Sequence, residues 1–151
     1  HIFCAIPIIG SRLYDICKEN DYFDNADPLK NANHTSIIRA PGVDPEQIEK
    51  DAYFMNLSVN FVNNYNMKVG NFSKARKYFE NARDRYPGHA FARYCLSKCY
   101  EAMGEPVDMI TREYDAFNEI CSKDEFWMDH AIGFELPVAN RAEPAKYALN
   151  A

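Results

Sequence analysis

Apolar side chains recur at helical spacing through most of the chain after Asp44, which is the pattern of helices that bury one face. The first of these helices is predicted to extend from Asp44 to Val69. Asp44 can cap its N-terminus, Pro45 fits its first turn, and no Gly or Pro interrupts the pattern before Gly70. The same spacing predicts further helices at 72–86, 90–103 and 107–121, and a short last helix that includes Phe126 and Trp127.

The turn and second helix of a helical hairpin are the clearest feature of this pattern. Gly70 follows the first helix, and Gly adopts the left-handed conformation that ends helices at little cost. Ala75, Phe79 and Ala82 then share one helix face, and Pro87 ends the helix. A small residue, an aromatic residue and a second small residue ahead of a Pro resemble the second half of a tetratricopeptide-type repeat. The resemblance implies a helical packing module and names no reaction.

A second, degraded copy of this repeat is expected further along the chain. Moving forward by one repeat length, about 34 residues, carries Gly70 to Gly104, so the turn is preserved. The aromatic position is not preserved, because Phe79 maps to Glu113. The repeat therefore persists in outline only.

The first residues follow a different pattern. The segment Ile2 to Ile9 is continuously apolar and ends in a turn at Gly10, which predicts a strand that is buried on both faces. Ser11 can then cap a short helix from Arg12 to Asn20. Strand, turn and helix form one unit of a parallel α/β fold, but a single strand leaves both of its backbone edges unpaired. Its neighbouring strands are expected to lie outside this chain.

The segment from Cys4 to Tyr22 resembles the closing segment of radical SAM enzymes, and most closely the subgroup that carries an N-terminal cobalamin-binding domain. Members of that subgroup often end their catalytic barrel with an apolar strand, a Pro-x-x-Gly-Thr/Ser turn, an x-Leu-Tyr element and a helix that leads to Gly-Tyr. In this chain Gly10-Ser11 takes the place of Gly-Thr, Leu13-Tyr14 matches directly, and Asp21-Tyr22 replaces Gly-Tyr.

The similarity extends into the next helix. Ile37-Ile38 and the helix start Asp44-Pro45-Glu46-Gln47 look like the next part of the sequence in that family. There the helix continues into an Asn-rich aromatic stretch, to which Val59-Asn60-Phe61-Val62-Asn63-Asn64 is similar. A tetratricopeptide-like tail is compatible with such proteins. The resemblance covers about the first half of the chain.

The resemblance implies the cofactors S-adenosylmethionine (SAM) and a [4Fe–4S] cluster, and cobalamin as a further one. The cluster needs a Cys-x3-Cys-x2-Cys motif, and this chain offers only Cys95-x3-Cys99 without a third cysteine in register. The chain also begins at His1 rather than Met. We therefore expect a C-terminal fragment that is inactive alone and whose partner is the N-terminal barrel of the same protein.

The family also implies a place for the cofactor. Its last barrel strand lies against the adenine of SAM, partly through backbone groups, and by position this implies Ala5, Ile6 and Pro7. The alternative is that these three residues only fill the core of a sheet. No catalytic residue and no metal ligand is assigned in this chain.

Composition restricts the class of protein further. The net charge of -5 argues against a nucleic-acid-binding surface, which needs concentrated Lys and Arg. No apolar run approaches the ~18 residues that a membrane helix needs. The five cysteines, Cys4, Cys17, Cys95, Cys99 and Cys121, are odd in number and scattered, which favours a reducing compartment and a cytoplasmic protein.

Several local groups have both a functional and a structural interpretation. Cys95 and Cys99 lie one helical turn apart, but without further ligands core packing is favoured over metal binding. His89 follows Pro87-Gly88 and is expected to cap or contact the hairpin turn. The cations Lys74, Arg76, Lys77, Arg83 and Arg85 are interleaved with acids, which favours an exposed mixed-charge face. The rings Tyr78, Phe79, Tyr86, Phe91 and Tyr94 are expected in the core, although a tetratricopeptide groove can use such rings to bind a peptide.

The predicted fold is mostly α, with tetratricopeptide-like helical hairpins preceded by one β-strand/helix unit left over from a truncated α/β, TIM-type barrel. Its regions are the barrel remnant and linker (1–43), the hairpins (44–122), and a short helix with a poorly packed tail (123–151). Two functions stay open. The chain is either the end of a radical SAM enzyme or a tetratricopeptide-like module that binds a protein or peptide partner without catalysis.

Overall fold

The computed structural model describes residues 2, 4–23 and 37–139. Within these ranges the chain is mostly helical, as predicted, and contains no strand. It divides into two units, an N-terminal one up to Asn56 and a C-terminal one from Leu57 onward. The helices are α1 (Arg12–Glu19), α2 (Pro45–Leu57), α3 (Tyr65–Lys68), α4 (Phe72–Arg85), α5 (Ala90–Met103), α6 (Val107–Lys123) and α7 (Glu125–Gly133), with a π-helical turn at Ser58–Val62.

The N-terminal unit confirms the predicted helix but not the strand. Ser11 caps α1, since its Oγ accepts a hydrogen bond of 3.2 Å from the Tyr14 N–H. In the described part of the apolar segment, residues 2 and 4–8, the backbone has no regular secondary structure. The strand prediction for Ile2–Ile9 is therefore wrong for these residues. The physical reason is that a strand is stabilised by a neighbouring strand, and none is present among the described residues.

The helix predicted as continuous from Asp44 to Val69 is interrupted. Its start is confirmed, because Asp44 Oδ1 accepts hydrogen bonds from the N–H groups of Glu46 and Gln47 at 3.0 and 3.3 Å. After α2 the chain forms the π-helical turn and breaks before α3. The Asn64 side chain causes the restart, since its Oδ1 accepts from the Asn66 N–H at 3.0 Å. Asn is a good helix cap and a mediocre interior residue, so a helix rich in Asn can end internally.

The C-terminal unit is built around α5. The side chains of Phe79, Phe91, Leu96 and Phe117 are all 0% exposed, and they join α4, α5 and α6 in one apolar core. The predicted helices at 72–86, 90–103 and 107–121 are confirmed to within about two residues at their ends.

The turns between these helices are left-handed at glycine. Gly70 and Gly104 have φ angles of 74° and 71°. A residue with a Cβ is strained in this conformation, so glycine is the residue these turns need.

The region after α7 is packed where the structure describes it. Leu136 is buried, the Tyr114 hydroxyl donates a hydrogen bond of 2.6 Å to the Pro137 carbonyl, and the Ala139 N–H donates to Asn118 Oδ1 at 2.9 Å. Within 135–139 the segment is irregular, as predicted, but it is anchored by the buried Leu136 and by these two hydrogen bonds. Residues 140–151 lie outside the described ranges.

Candidate functional site

The segment that leads into the turn before α1 contains the residues for which a cofactor contact was predicted. Gly10 has a φ of 87°, and the Ser11 N–H donates a 2.9 Å hydrogen bond to the Ile8 carbonyl, which closes the turn. Ala5 is exposed and Ile6 is half-buried, whereas the Pro7 ring is fully buried. Pro7 also lacks an N–H donor, so only Ala5 and Ile6 of the three present accessible groups that can touch a ligand.

One helix side chain takes the place of a neighbouring strand at Ile2. Asn56 Oδ1 accepts from the Ile2 N–H at 2.9 Å, and Asn56 Nδ2 donates to the Ile2 carbonyl at 2.7 Å. A single amide thus satisfies both backbone groups of one residue, as a paired strand does. The Asn56 side chain therefore has its partner within the chain itself.

The cysteines are free thiols, and most of them are buried. Cys17, Cys95, Cys99 and Cys121 are buried, and among the described residues no group of three or more His, Cys, Asp or Glu side chains is arranged to hold a metal ion. Burial raises the pKa of the Cys95 thiol strongly and that of Cys121 to about 12. Such thiols are neutral at physiological pH and behave as small apolar side chains.

A buried carboxylate joins three helices in the C-terminal unit. Glu113 of α6 is 1% exposed, and its two oxygens accept hydrogen bonds from Arg83 Nη1 of α4 at 3.1 Å and from Arg93 Nη1 of α5 at 2.7 Å. The hydrogen bond to Asp84, with a contribution from Glu113, raises the pKa of the Arg83 guanidinium. Both oxygens are held by charged donors, so the arrangement positions helices and offers no free base for catalysis.

A second ion-pair group lies along the same helices. Arg76 contacts Glu80 at 2.8 Å and Glu105 at 2.9 Å, and the buried Tyr100 hydroxyl donates to Glu80 at 3.1 Å. The Arg76 guanidinium also lies over the Tyr100 ring, at 5.2 Å from its centroid. These contacts connect α4 to α5 and to the turn after α5. Together with the Glu113 ion pairs, they position these helices relative to one another.

Sequence reasoning did not identify Glu113 as an organising residue. The signal was present, since a charged residue stood where the repeat places an aromatic one, equivalent to Phe79. A charge at a core position needs buried partners. Its partners, Arg83 and Arg93, lie 30 and 20 residues away and had no pattern that linked them to it.

His89 has the structural role that was predicted for it. Its Nδ1 accepts a hydrogen bond of 3.2 Å from the Ala92 N–H and so caps α5. Its ring lies 4.4 Å from the Phe61 ring and 4.8 Å from the Trp127 ring, measured between centroids. Burial lowers the pKa of His89 to about 4. The imidazole is therefore neutral near pH 7, with its proton on Nε2 because Nδ1 is an acceptor.

The five rings expected in the core divide into two groups. Phe79 and Phe91 are fully buried and Tyr94 is half-buried, as predicted for core residues. Tyr78 and Tyr86 are 37% and 55% exposed. The exposed pair lies on α4 and directly after it, so part of this aromatic set is available at the surface.

Comparisons with protein-family models, with curated proteins and with solved structures found no match to this chain. A search of the described residues found no helix that is both long and apolar enough to cross a membrane.

Proposed function

We propose that this chain is the closing part of a radical SAM enzyme, in which the C-terminal helices are an accessory scaffold beside the catalytic barrel. The observation that carries the proposal is the segment from Pro7 to Tyr14. Its residues are those with which such barrels end, Pro-x-x-Gly-Ser-x-Leu-Tyr, and they fold as a left-handed glycine turn followed by a Ser-capped helix.

The exposure of the apolar residues in this turn supports the same proposal. Ile8 and Ile9 are 70% and 55% exposed, and Ile16 of α1 is 39% exposed. Contiguous apolar residues at a surface mark a place where another surface docks. In the proposed parent enzyme the preceding strands of the barrel cover them.

The described residues do not fit the iron–sulfur cluster, because they contain no group of three or more ligand side chains arranged to hold a metal ion. The cluster is assigned to the barrel of the parent protein. Ala5 and Ile6 remain the proposed contacts to the adenine of SAM, whereas Pro7 is buried. When bound in such enzymes, SAM supplies a carbon radical. The residues of this chain only line and close that site.

The direct test is the reading frame upstream of this chain in its source. A Cys-x3-Cys-x2-Cys motif within the length of a barrel is expected there, and the full protein should form 5′-deoxyadenosine from SAM under reducing conditions. The 151-residue chain alone should form none. An upstream frame of that length without the motif overturns the proposal.

A matched pair of variants in the full protein tests the docking role of the turn. Ile8→Asp should lower product formation, since it charges the covered surface. The matched control is Val107→Asp, because Val107 is also an exposed apolar residue, at 76% exposure, but begins α6 in the C-terminal unit. It should leave product formation unchanged. Equal effects of the two variants would contradict the proposed docking.

The second candidate function is a tetratricopeptide-like module that binds a protein partner without catalysis. The observation that favours it is the recurrence of the glycine turn, since Gly70 and Gly104 are separated by one repeat length and have nearly equal φ angles. The rings of Tyr78 and Tyr86 are available for such a contact. An upstream start codon without a cysteine motif would leave this function as the better account.

A further inference from the structure

The cations of α4, which the sequence presented as a mixed-charge face, are divided by the fold into two groups. Arg76 and Arg83 turn toward α5 and α6 and are held in ion pairs with Glu80, Glu105 and Glu113. Lys74, Lys77 and Arg85 are exposed and make no ion pair with another described residue. These three residues recur at helical spacing on one face, and we call them the basic stripe.

The corresponding face of α6 has the opposite charge. Asp108, Asp115 and Glu119 are exposed at helical spacing, and we call them the acidic stripe. Glu119 also contacts Lys123 at 2.6 Å, and the exposed Arg112 lies beside the stripe at 3.7 Å from Glu113. The stripe is nevertheless acidic on balance, in a chain whose net charge is -5.

The charges at the two ends of each stripe correspond in sequence, whereas the middle ones do not, since Lys77 maps to Thr111 and Asp115 to Asn81. A step of one repeat length carries Lys74 to Asp108 and Arg85 to Glu119. Because all α-helices have the same rise per residue, the charges at the two ends of each stripe are equally far apart. Each stripe also has an exposed apolar side chain at one end, Tyr86 after Arg85 and Val107 before Asp108, which are 55% and 76% exposed.

We infer that a second copy of this chain docks on these stripes, with α4 of each copy against α6 of the other. A two-fold axis makes the two contacts identical, so every basic stripe meets an acidic one. The matching spacing gives the charge complementarity, and Tyr86 and Val107 supply apolar area at the ends. Exposed ion pairs are individually weak and the chains carry like net charge, so the dimer is weak and salt-sensitive.

Two charge-reversed variants test this docking. The first is Lys74→Glu, Lys77→Glu and Arg85→Glu, and the second is Asp108→Lys, Asp115→Lys and Glu119→Lys. Each variant alone places like charges in both contacts, so dimerisation should weaken at least about tenfold in sedimentation velocity. In a mixed dimer, the reversed α4 stripe of the first variant meets the reversed α6 stripe of the second, and the two unchanged stripes meet in the other contact. Both contacts then join opposite charges, so association should recover in an equimolar mixture. Circular dichroism checks that each variant keeps its helices.

The matched control is Lys18→Glu, Lys50→Glu and Lys68→Glu, which makes the same change in net charge as the first variant, at exposed positions outside the stripes. It should dimerise nearly as the unmodified chain does. For the unmodified chain, raising the salt from about 0.05 to 0.5 M should weaken association about tenfold. This second measurement keeps the inference testable even if a reversed variant does not fold, because association that does not weaken with salt would contradict it.

Three results overturn the inference. One is an unmodified chain that stays monomeric up to about millimolar concentration at low salt. Another is a dimer that persists in both reversed variants, which would place docking elsewhere, for example at Ile8 and Ile9. The third is a mixture of the two variants that associates no better than either variant alone. None of these results bears on the radical SAM proposal, because that proposal makes no use of the stripes.

Discussion

The two units of this chain contain similar kinds of apolar residues but bury them to different extents. In the C-terminal unit the large side chains of Phe79, Phe91 and Phe117 are 0% exposed. In the N-terminal unit Ile8 and Ile9, at the end of the most continuous apolar run of the sequence, are 70% and 55% exposed. An apolar pattern gives a closed core only where the chain also supplies the elements that cover it.

The largest expected effect comes from removing a core ring. Phe79→Ala should lower the free energy of unfolding by about 3–5 kcal/mol, because it removes a fully buried side chain and leaves a cavity. The matched variant Ile8→Ala should change it by no more than about 0.5 kcal/mol, since the side chain is already largely in water. Urea unfolding followed by circular dichroism measures both. A similar loss in the two variants would erase the contrast between the units.

The second largest loss of stability is expected at Glu113, because its charge is buried. Glu113→Gln leaves Arg83 and Arg93 without their carboxylate and should cost about 3 kcal/mol. The control Glu101→Gln breaks the exposed pair with Lys98, in which the side chains of Lys98 and Glu101 are 46% and 59% exposed, and should cost less than about 1 kcal/mol. Urea unfolding of both variants at pH 7 checks the order. If Glu101→Gln costs as much, the buried ion pairs do not organise the C-terminal unit.

These two residues illustrate which features of the fold can be predicted from the sequence and which cannot. Helical spacing and the caps at Ser11 and Asp44 predicted most helices, because caps and periodicity are local properties. The role of Glu113 was not predictable, since its partners come from two other helices. The predicted strand does not form in residues 2 and 4–8, because a continuous apolar run indicates burial without saying what provides it. The break at Asn64 was missed because the same residue is compatible with a helix interior and with a cap.

The proposed site likewise has a part that the sequence predicted and a part that depends on the fold. The sequence placed Ala5, Ile6 and Pro7 together by resemblance to a family, and that resemblance stays a proposal. Which of them is accessible depends on the tertiary packing that buries Pro7 and exposes Ala5, and the sequence pattern does not specify this. The separation of the α4 cations into inward and outward groups likewise depends on acids of other elements.

The pH dependence of stability should follow His89. Its pKa is about 4 in the folded chain and ~6.5 in the unfolded chain, so stability is fully present above about pH 6.5 and is lost as the pH falls toward 4. Between pH 7 and 4.5 the loss from this group is about 2.5 kcal/mol. His89→Asn keeps a capping side chain and should remove most of this dependence.

The single tryptophan of the chain makes the His89 measurement direct. Trp127 lies 4.8 Å from the His89 ring, so its fluorescence follows the unfolding of this region. The matched control His130→Asn should leave the pH dependence in place. If the unmodified chain and His89→Asn lose equal stability between pH 7 and 4.5, the pKa of His89 is not lowered by the fold.

The smallest expected effect is at the cap of α1. Ser11→Ala removes the acceptor for the Tyr14 N–H and should destabilise that helix by about 1 kcal/mol. Hydrogen exchange of the α1 amides should become faster, while exchange in α5 should not change. Faster exchange in both helices would indicate that the two units unfold together and would remove the difference between them.

Hydrogen exchange of the unmodified chain, resolved by residue, tests the central claim most directly. We predict that the amides of α4, α5 and α6 exchange only by global unfolding of their unit, whereas those of residues 4–23 exchange through local openings of low free energy. In the full enzyme that we propose, residues 4–23 should become protected. Equal, high protection of both regions in the isolated chain would contradict the claim, because the N-terminal segment would then need no partner.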